Sequence, residues 1–546
     1  MQPGSPDGRI RSAGAGRRMP GDNGGAGGAP RHVPLSVVPN AKDPSSDRPD
    51  DETSRSGSAA DSLSAAQAAA VSEILSAYPV ADELGRRFRA AGFRLALVGG
   101  SVRDALLGRL GNDLDFTTDA RPEQILALLK PWADSIWDVG IAFGTVGARK
   151  KAKPVAGGEV RDFQIEITTY RSEAYDRDSR KPEVSYGDSI EEDLVRRDFT
   201  VNAMAVALPE VVFIDPHHGL ADLAEKVLRT PGTPEASFSD DPLRMMRAAR
   251  FAAQLDFRVA PEVVTAMTEM AERIDIVSAE RVQAELNKLL LSDHPRKGLL
   301  LLVTSGIAAR VLPELPALQL ELDEHHRHKD VYEHSLTVLE QAIDLEEDGP
   351  DLTLRMAALL HDIGKPRTRR FEGGGGVSFH HHELVGAKLT KKRLRELKYS
   401  NELIADVSRL VELHLRFHGY GTGEWTDSAV RRYVRDAGPL LSRLHKLTRS
   451  DCTTRNKKKA AALARAYDGL EERIAQLQEQ EELDSIRPDL NGEEIMAILG
   501  LKPSREVGEA YRHLLELRME HGPLGPEAAT EALREWWAAR DGQPSS

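Results

Sequence analysis

The spacing of apolar residues changes character once along this chain, near residue 240, and that change fixes what can fold on either side of it. Before it, short β-rich runs such as RLALV (94–98), FGTVGAR (143–149) and FQIEITTY (163–170) are interleaved with helical patterns. After it, strand patterns vanish. Apolar residues recur at helical intervals in PLRMMRAARFAAQL (242–255) and ERVQAELNKLLL (280–291). The chain is therefore expected to be α+β, a mixed head followed by an extended all-α body.

At 546 residues it exceeds what one hydrophobic core holds. The divisions expected are a disordered segment over 1–60, a head over 61–230, a helical neck over 231–315, a body over 316–460 and a helical tail over 461–546. Residues 1–60 are rich in Gly, Pro, Ser, Asp and Arg and bury too little apolar surface to offset ordering. A helix is expected over 64–78, a hairpin excursion at 150–162 and a mobile loop at 175–188. One cysteine, Cys452, excludes an internal disulfide framework. No apolar run is long enough to span a bilayer, and the early arginines precede glycines and prolines, not the apolar block of a signal peptide. Cytoplasmic location, with no membrane partner, is the expectation. A net charge of −13 argues against a general nucleic-acid coat but leaves room for local basic surfaces at Arg196–Arg197, at Arg244, Arg247 and Arg250, and at Lys457–Lys459. Oligomeric state is not set by these features.

Two acids in NDLDFTT (112–118) carry the first chemical signal. On a strand, Asp113 and Asp115 share one face while Leu114 and Phe116 share the other. Paired carboxylates repel unless a cation lies between them, although a solvated strand end also tolerates them. Upstream, LVGGSVRDALLG places Gly99–Gly100 between a strand and a helix expected to begin at Ser101 or Val102. That is a phosphate cradle or simply a tight turn. Two aspartates holding Mg²⁺ beside such a cradle suit phosphoryl or nucleotidyl transfer. Glu166 projects from its strand opposite Phe163, Ile165 and Ile167, and is a candidate third ligand or a solvated acid.

RRDFTVNAMA (196–205) follows. Asp198 can cap a helix, and Asn202, four residues on, can reach a ribose hydroxyl. SDDPLRMMRAARF then sets Asp241 at a helix N-cap, Pro242 at the first helical position and Arg244 three residues past Asp241. Cytosine and adenine both present an amino donor beside a ring-nitrogen acceptor, whereas uracil and guanine reverse that edge. One carboxylate and one guanidinium therefore select C and A; an ordinary i to i+3 ion pair would also explain the spacing.

Taken in order, GGSVRDALLG…NDLDFTT, EITTYR, RRDFTVNAMA and DDPLRMMRAARFAAQL resemble the bacterial-type (class II) tRNA nucleotidyltransferase and poly(A) polymerase family over roughly 80–315. The resemblance implies a polymerase-β-like head with Asp113 and Asp115 as catalytic Mg²⁺ ligands. It implies nucleotide contacts from Gly99, Gly100, Arg103, Arg197, Asp198, Asn202, Arg247 and Arg250, with Asp241 and Arg244 as a protein template for CTP and ATP. ERVQAELNKL (280–289) matches the family's neck helix, and the usual Glu-Asp of the template is Asp240–Asp241 here. IAFGTVGAR (141–149) looks like the CCA-adding pattern, so the expected partner is tRNA, with no DNA. Extension of RNA as a poly(A) polymerase is the alternative.

A second constellation lies in the body. His334, His361–Asp362, His382, His414 and Asp451 occur in an order that resembles the HD phosphohydrolase superfamily. Such ligands suit Mg²⁺ or a divalent transition metal, and a centre of this kind activates water against a phosphoester. Lys365 is a candidate phosphate contact. The alternatives are an inert HD body that only grips RNA, and an HD phosphohydrolase whose head only binds RNA. RNKKKAAALARAY (455–467) is a tRNA contact or a solvated helix end, and Trp536 and Trp537 are expected in the tail's core.

Overall fold

The computed structural model describes residues 79–541 apart from 110, 138–139, 142–143, 153–160, 175–182, 188, 320–329, 373–375, 418–424, 455 and 482–486; upstream it describes only 65 and 69. The expectations for 1–60 and for the hairpin tip lie outside the described residues, as do nearly all of 64–78 and the first part of the 175–188 loop.

In chain order the head comprises α1 (Pro79–Ala90), β1 (Leu95–Val98), α2 (Gly100–Leu106), β2 (Asp113–Thr118), α3 (Pro122–Leu129), β3 (Ser135–Trp137), β4 (Thr145–Ala152), β5 (Arg161–Thr169), β6 (Arg171–Ala174), β7 (Glu183–Tyr186), α4 (Ile190–Val195), β8 (Ala205–Leu208) and β9 (Val212–Ile214). Seven strands form one sheet in the order β3-β4-β5-β2-β1-β8-β9. Only β2 and β5 run parallel in it. Alternation decides which way the sheet faces. Phe163, Ile165 and Ile167 of β5 are buried together with Leu114 and Phe116 of β2, while Gln164, Glu166, Asp113 and Asp115 stay exposed.

Two expectations are corrected here. Helix α2 begins at Gly100, ahead of Ser101 and Val102, because Gly99 at φ +70° supplies the turn itself. The later part of the 175–188 loop is a strand, Glu183–Tyr186, paired antiparallel with β6.

The head closes with α5 (Gly219–Glu225) and β10 (Val227–Leu228), and the neck follows as α6 (Pro234–Asp240), α7 (Leu243–Leu255), β11 (Arg258–Val259), α8 (Pro261–Glu269), α9 (Ala279–Leu290), α10 (Pro295–Thr304) and α11 (Ala308–Val311). The body is α12 (Val331–Ile343), α13 (Leu352–Leu360), α14 (Lys365–Thr368), β12 (Arg370–Glu372), β13 (Gly376–Ser378), α15 (His382–Glu396), α16 (Asn401–Leu413), α17 (Asp427–Ala437), α18 (Leu441–Ser450) and α19 (Lys457–Glu481). Strands do persist past 240, against expectation: β11 pairs with β10, and β12 with β13. Both ladders are two or three residues long, too short to leave an alternating pattern. Helix α19 runs without a break across the division expected at 460, its Tyr467, Leu470, Ile474 and Leu477 buried against the body.

The tail, α20 (Gly492–Leu499), α21 (Arg505–His521) and α22 (Pro526–Asp541), has its own small core around Ile495, Ala510, Leu514, Ala529 and Leu533. Trp536 packs against that core and stacks on His513 at 4.9 Å. Trp537 does not join it; half-buried, it lies under Arg540. Among the described residues, no helix is long and apolar enough to cross a membrane.

Neck and body are joined through Arg355 of α13. Its buried guanidinium donates 2.7 Å hydrogen bonds to the carbonyls of Leu290 and Ser292 at the end of α9, and also pairs with Glu346, whose side chain is only 6% exposed. Removing one partner of such a pair strands the other in the interior. Arg355→Met should therefore cost about 3–5 kcal/mol and lower the calorimetric transition of the neck and body by on the order of 10 °C. Combining it with Glu346→Leu should recover part of the loss.

Candidate active site and metal centre

The β2–β5 pairing places Asp113 beside Gln164 and Asp115 beside Glu166 on the exposed sheet face. Three carboxylates thus meet on adjacent strands. The floor is fixed by Ser101, whose hydroxyl accepts from Asp115 N (2.9 Å) and donates to Asp113 O (3.1 Å), tying α2 to the acidic strand. Loss of hydration raises the pKa of Asp115, and Asp113 raises it further, against Arg197, Arg103 and Arg247. Glu166 is raised by desolvation and then by both aspartates. Crowding of this kind is relieved by a divalent cation.

Gly99 makes the approach possible. A Cβ there would lie 2.8 Å from an Arg197 guanidinium nitrogen and 3.7 Å from Asp115 Oδ2, and its φ of +70° suits glycine. Arg197 is held by the buried Asp193, one helical turn earlier. Arg103 reaches Asn202 Oδ1, the Asn202 amide donates to Asp198 Oδ1 at 2.9 Å, and Asp198 Oδ2 accepts from Arg247 Nε at 2.8 Å. Burial alone would raise the Asp198 carboxyl, but Arg247, Asn202 and Arg244 hold it far below the ordinary range. This continuous network fastens the head to α7 of the neck.

The structure brings Arg103, Arg197, Asp198, Asn202 and Arg247 together at this wall. Asp198 caps no α-helix; Thr200–Asn202 is a 3₁₀ turn. Arg250 lies next to this wall, donating to Glu285 at 2.5 Å, which Arg247 also approaches, and lying 3.9 Å over the Phe251 ring that Arg103 and Arg247 share. Asp241 and Arg244 make no ion pair with each other, which removes the local explanation of their spacing. Asp241 Oδ2 accepts from Arg281 of α9 (2.7 Å), while buried Arg244 donates to Ser237 and to the Arg196 carbonyl. Helix α7 starts one residue later than expected, at Leu243, whose N–H bonds to Asp241 Oδ1.

In the body, four histidines and two aspartates converge. Asp362 Oδ2 lies 3.2 Å from His361 Nε2 and 3.5 Å from His334 Nε2; Oδ1 lies 3.2 Å from His382 Nε2 and 3.9 Å from His414 Nε2. Asp451 completes the first group at 2.9 Å from His334. The Nδ1 atoms of His361, His382 and His414 each donate to the carbonyl three residues earlier (Ala358, Phe379, Val411), so a neutral ring presents a bare Nε2 to the centre. The Nε2 atoms of His361 and His334 face each other at 3.3 Å, the His334 Nδ1 lying 3.1 Å from the Thr453 hydroxyl. Those of His382 and His414 are buried without a hydrogen-bond partner. Lone pairs aimed at one another and at a carboxylate fit metal ions, with Asp362 between two groups of ligands. Burial opposes protonation of His361, but Asp362 outweighs it and raises its pKa; His414, buried and facing His361, is pushed down to about 3. Lys365 Nζ sits 2.6 Å from Asp362 Oδ2, and with Phe379, His380 and His381 it lines a cleft of about 530 Å³ opening on the centre.

Residues 95–229 match the poly A polymerase head domain, 256–318 the probable RNA and SrmB-binding site of polymerase A, and 331–487 the HD domain. An A-adding tRNA nucleotidyltransferase of Deinococcus radiodurans is 35% identical over 453 residues, 81% of this chain and 95% of the relative. The chain belongs to the tRNA nucleotidyltransferase and poly(A) polymerase family. A CCA-adding enzyme of Streptococcus gordonii is 40% identical over 254 residues, 46% of this chain and 59% of that enzyme, so the chain spans less than two thirds of that relative. The fold is shared with the Bacillus stearothermophilus CCA-adding enzyme in complex with CTP, at a TM-score of 0.61 and 23% identity over 85% of this chain and 98% of that one.

As a nucleotidyltransferase with an HD domain, the chain combines two classes that are generally metal-dependent, and among the described residues the groups whose ligand atoms converge closely enough to hold an ion are the two in the body. Sequence reasoning passed over Ser101, Asp193, Arg281 and Glu285. Asp193 was findable, four residues before Arg197 on one helical face. Arg281 and Glu285 reach their partners across 40 and 35 residues and leave no local trace. Asp362→Ala should abolish tight Mn²⁺ binding to the body in calorimetric titration, while nucleotide incorporation by the head persists.

Proposed function

We propose that this chain rebuilds the 3′ end of tRNA in the cytoplasm, adding C, C and A from CTP and ATP by two-metal nucleotidyl transfer. The observation that carries this reading is the β2–β5 register, which aligns Asp113, Asp115 and Glu166 beside Gly99 and Arg197. Asp113 and Asp115, with Glu166, would hold Mg²⁺, which when bound neutralises phosphate charge and favours ionisation of the attacking 3′-hydroxyl. Gly99 lets the triphosphate approach the backbone, and Arg197 sets a positive charge where it arrives. Arg103, Asn202, Asp198 and Arg247, already bonded to one another, form a preorganised wall for the ribose and base. Asp241 accepts from the exocyclic amine and Arg244 donates to the ring nitrogen; an incoming base displaces the exposed Arg281 from Asp241. Each mismatched contact costs ~1–3 kcal/mol, so the pair excludes U and G. In the body, the HD centre supports metal-dependent phosphohydrolysis. The divisions proposed are head, neck, HD body and tail, as the sequence suggested, with α19 carried into the body.

A second reading is favoured by one observation: the relative matched over 95% of its length is A-adding. Of the mobile loop expected at 175–188, residues 175–182 and 188 lie outside the described residues. Both readings are tested by offering tRNA lacking its 3′ end, and tRNA ending in C-C, with each NTP alone and paired, and sequencing the products. Termination after C-C-A on the shorter tRNA is expected. Addition of A to the C-C end alone would establish the A-adding reading, and long A tracts without C would overturn both. Asp115→Ala should reduce incorporation by on the order of 10³-fold, and EDTA should abolish it until Mg²⁺ is restored.

A further inference from the structure

The exposed face of the head sheet continues past the carboxylates. Across four adjacent strands the register aligns Asp115, Glu166, Gly147 and Trp137 in one row, with Asp113, Gln164, Arg149 and Ser135 in the next. Trp137 lies on Gly147: a Cβ built at Gly147 would collide with the Nε1, Cε2 and Cδ1 atoms of the indole. The glycine is thus needed for space, and it turns the half-exposed ring toward the carboxylates. At ~4.8 Å per strand, Gly147 is about 10 Å from Asp115, within the span of one nucleotide. The indole borders a cleft of about 550 Å³ with Ser135, Arg149, Asp162 and Gln164. Arg149 is paired with Asp162 there, and exposed Lys151 follows on the same face.

The other side of Asp115 is taken. Arg197, Asp198, Asn202 and Arg247 stand there and lead to Asp241 and Arg244 through the neck, so the incoming nucleotide occupies that side. The nucleotide that attacks must approach from the opposite one. From this we infer that Trp137 is a stacking platform for the 3′-terminal base of the RNA primer, with Arg149 and Lys151 facing its phosphates. A flat aromatic beside cations is how single-stranded RNA ends are held without regard to base identity. A primer whose last base changes with every addition requires such tolerance. The inference rests on the reading of the head as an RNA-extending nucleotidyltransferase.

The test uses the full-length protein and a tRNA minihelix carrying 2-aminopurine as its 3′-terminal base, without nucleotides, alongside CMP and AMP incorporation by the same preparations. Stacking quenches 2-aminopurine fluorescence. Wild type should quench, Trp137→Phe should retain most of the effect, and Trp137→Ala should lose it. Gly147→Ala, which evicts the indole, should behave like Trp137→Ala. In steady state, Trp137→Ala should raise KM for the primer about 5- to 100-fold, with KM for CTP changed less than about twofold, and circular dichroism melting shows whether each variant is folded. Quenching that survives Trp137→Ala, or a KM for CTP that rises as much as that for the primer, would overturn the stacking assignment. A wild type that quenches but incorporates nothing would sink the nucleotidyltransferase reading and leave the platform standing.

Discussion

Repulsion among Asp113, Asp115 and Glu166 is the constraint around which the head is arranged. Side-by-side carboxylates resist ionisation, and the fold accepts that cost because two parallel strands, locked by buried Leu114, Phe116, Ile165 and Ile167, leave no other register. A slip of one residue would send the acids into the core and the apolar side chains to water. The surrounding arginines moderate the repulsion without neutralising it. Arg197 is already engaged by Asp193, and Arg247 by Asp198, so neither collapses onto the acids. The charge stays available to a cation and a triphosphate.

The HD centre solves the opposite problem. There the charge is buried, and the rings are aimed by backbone carbonyls before any ion arrives. Helices α13, α15 and α16 each end or begin at a histidine whose Nδ1 is committed to its own preceding turn. Gly364 lets α15 close over the centre: a Cβ there would run into the His382 carbonyl and come within 2.7 Å of Gly386 N. Preorganisation therefore comes from helix termini in the body and from strand register in the head.

How much of this could be read in the sequence depended on the range of each interaction. Asp113 and Asp115 announce a strand face by alternation, and His361–Asp362 ends an apolar helix; both are local patterns. The three-dimensional partners of Asp241 and Arg244 were not legible, because the spacing that suggested an ion pair is satisfied instead by Arg281 and Ser237. Arg250 sits among nucleotide-binding candidates in the chain but is turned toward Glu285 by the packing of α7 on α9. Likewise Gly147 looks like an ordinary strand glycine until Trp137 is found lying on it. Strands of two or three residues, such as β10 and β11, are too brief to impose any periodicity.

The single parallel pairing in the sheet also bears on the order in which a growing chain becomes competent. Glu166 meets Asp115 only after the intervening residues have been made, and the wall of the site is not complete until Arg247 and Glu285 of the neck have followed. The HD centre waits longer, since His334 must meet Asp451. During synthesis, then, the head acquires its full set of charged partners well before the body can close its own centre. A nascent chain halted between the two would carry a finished acidic cleft and an unfinished histidine cluster.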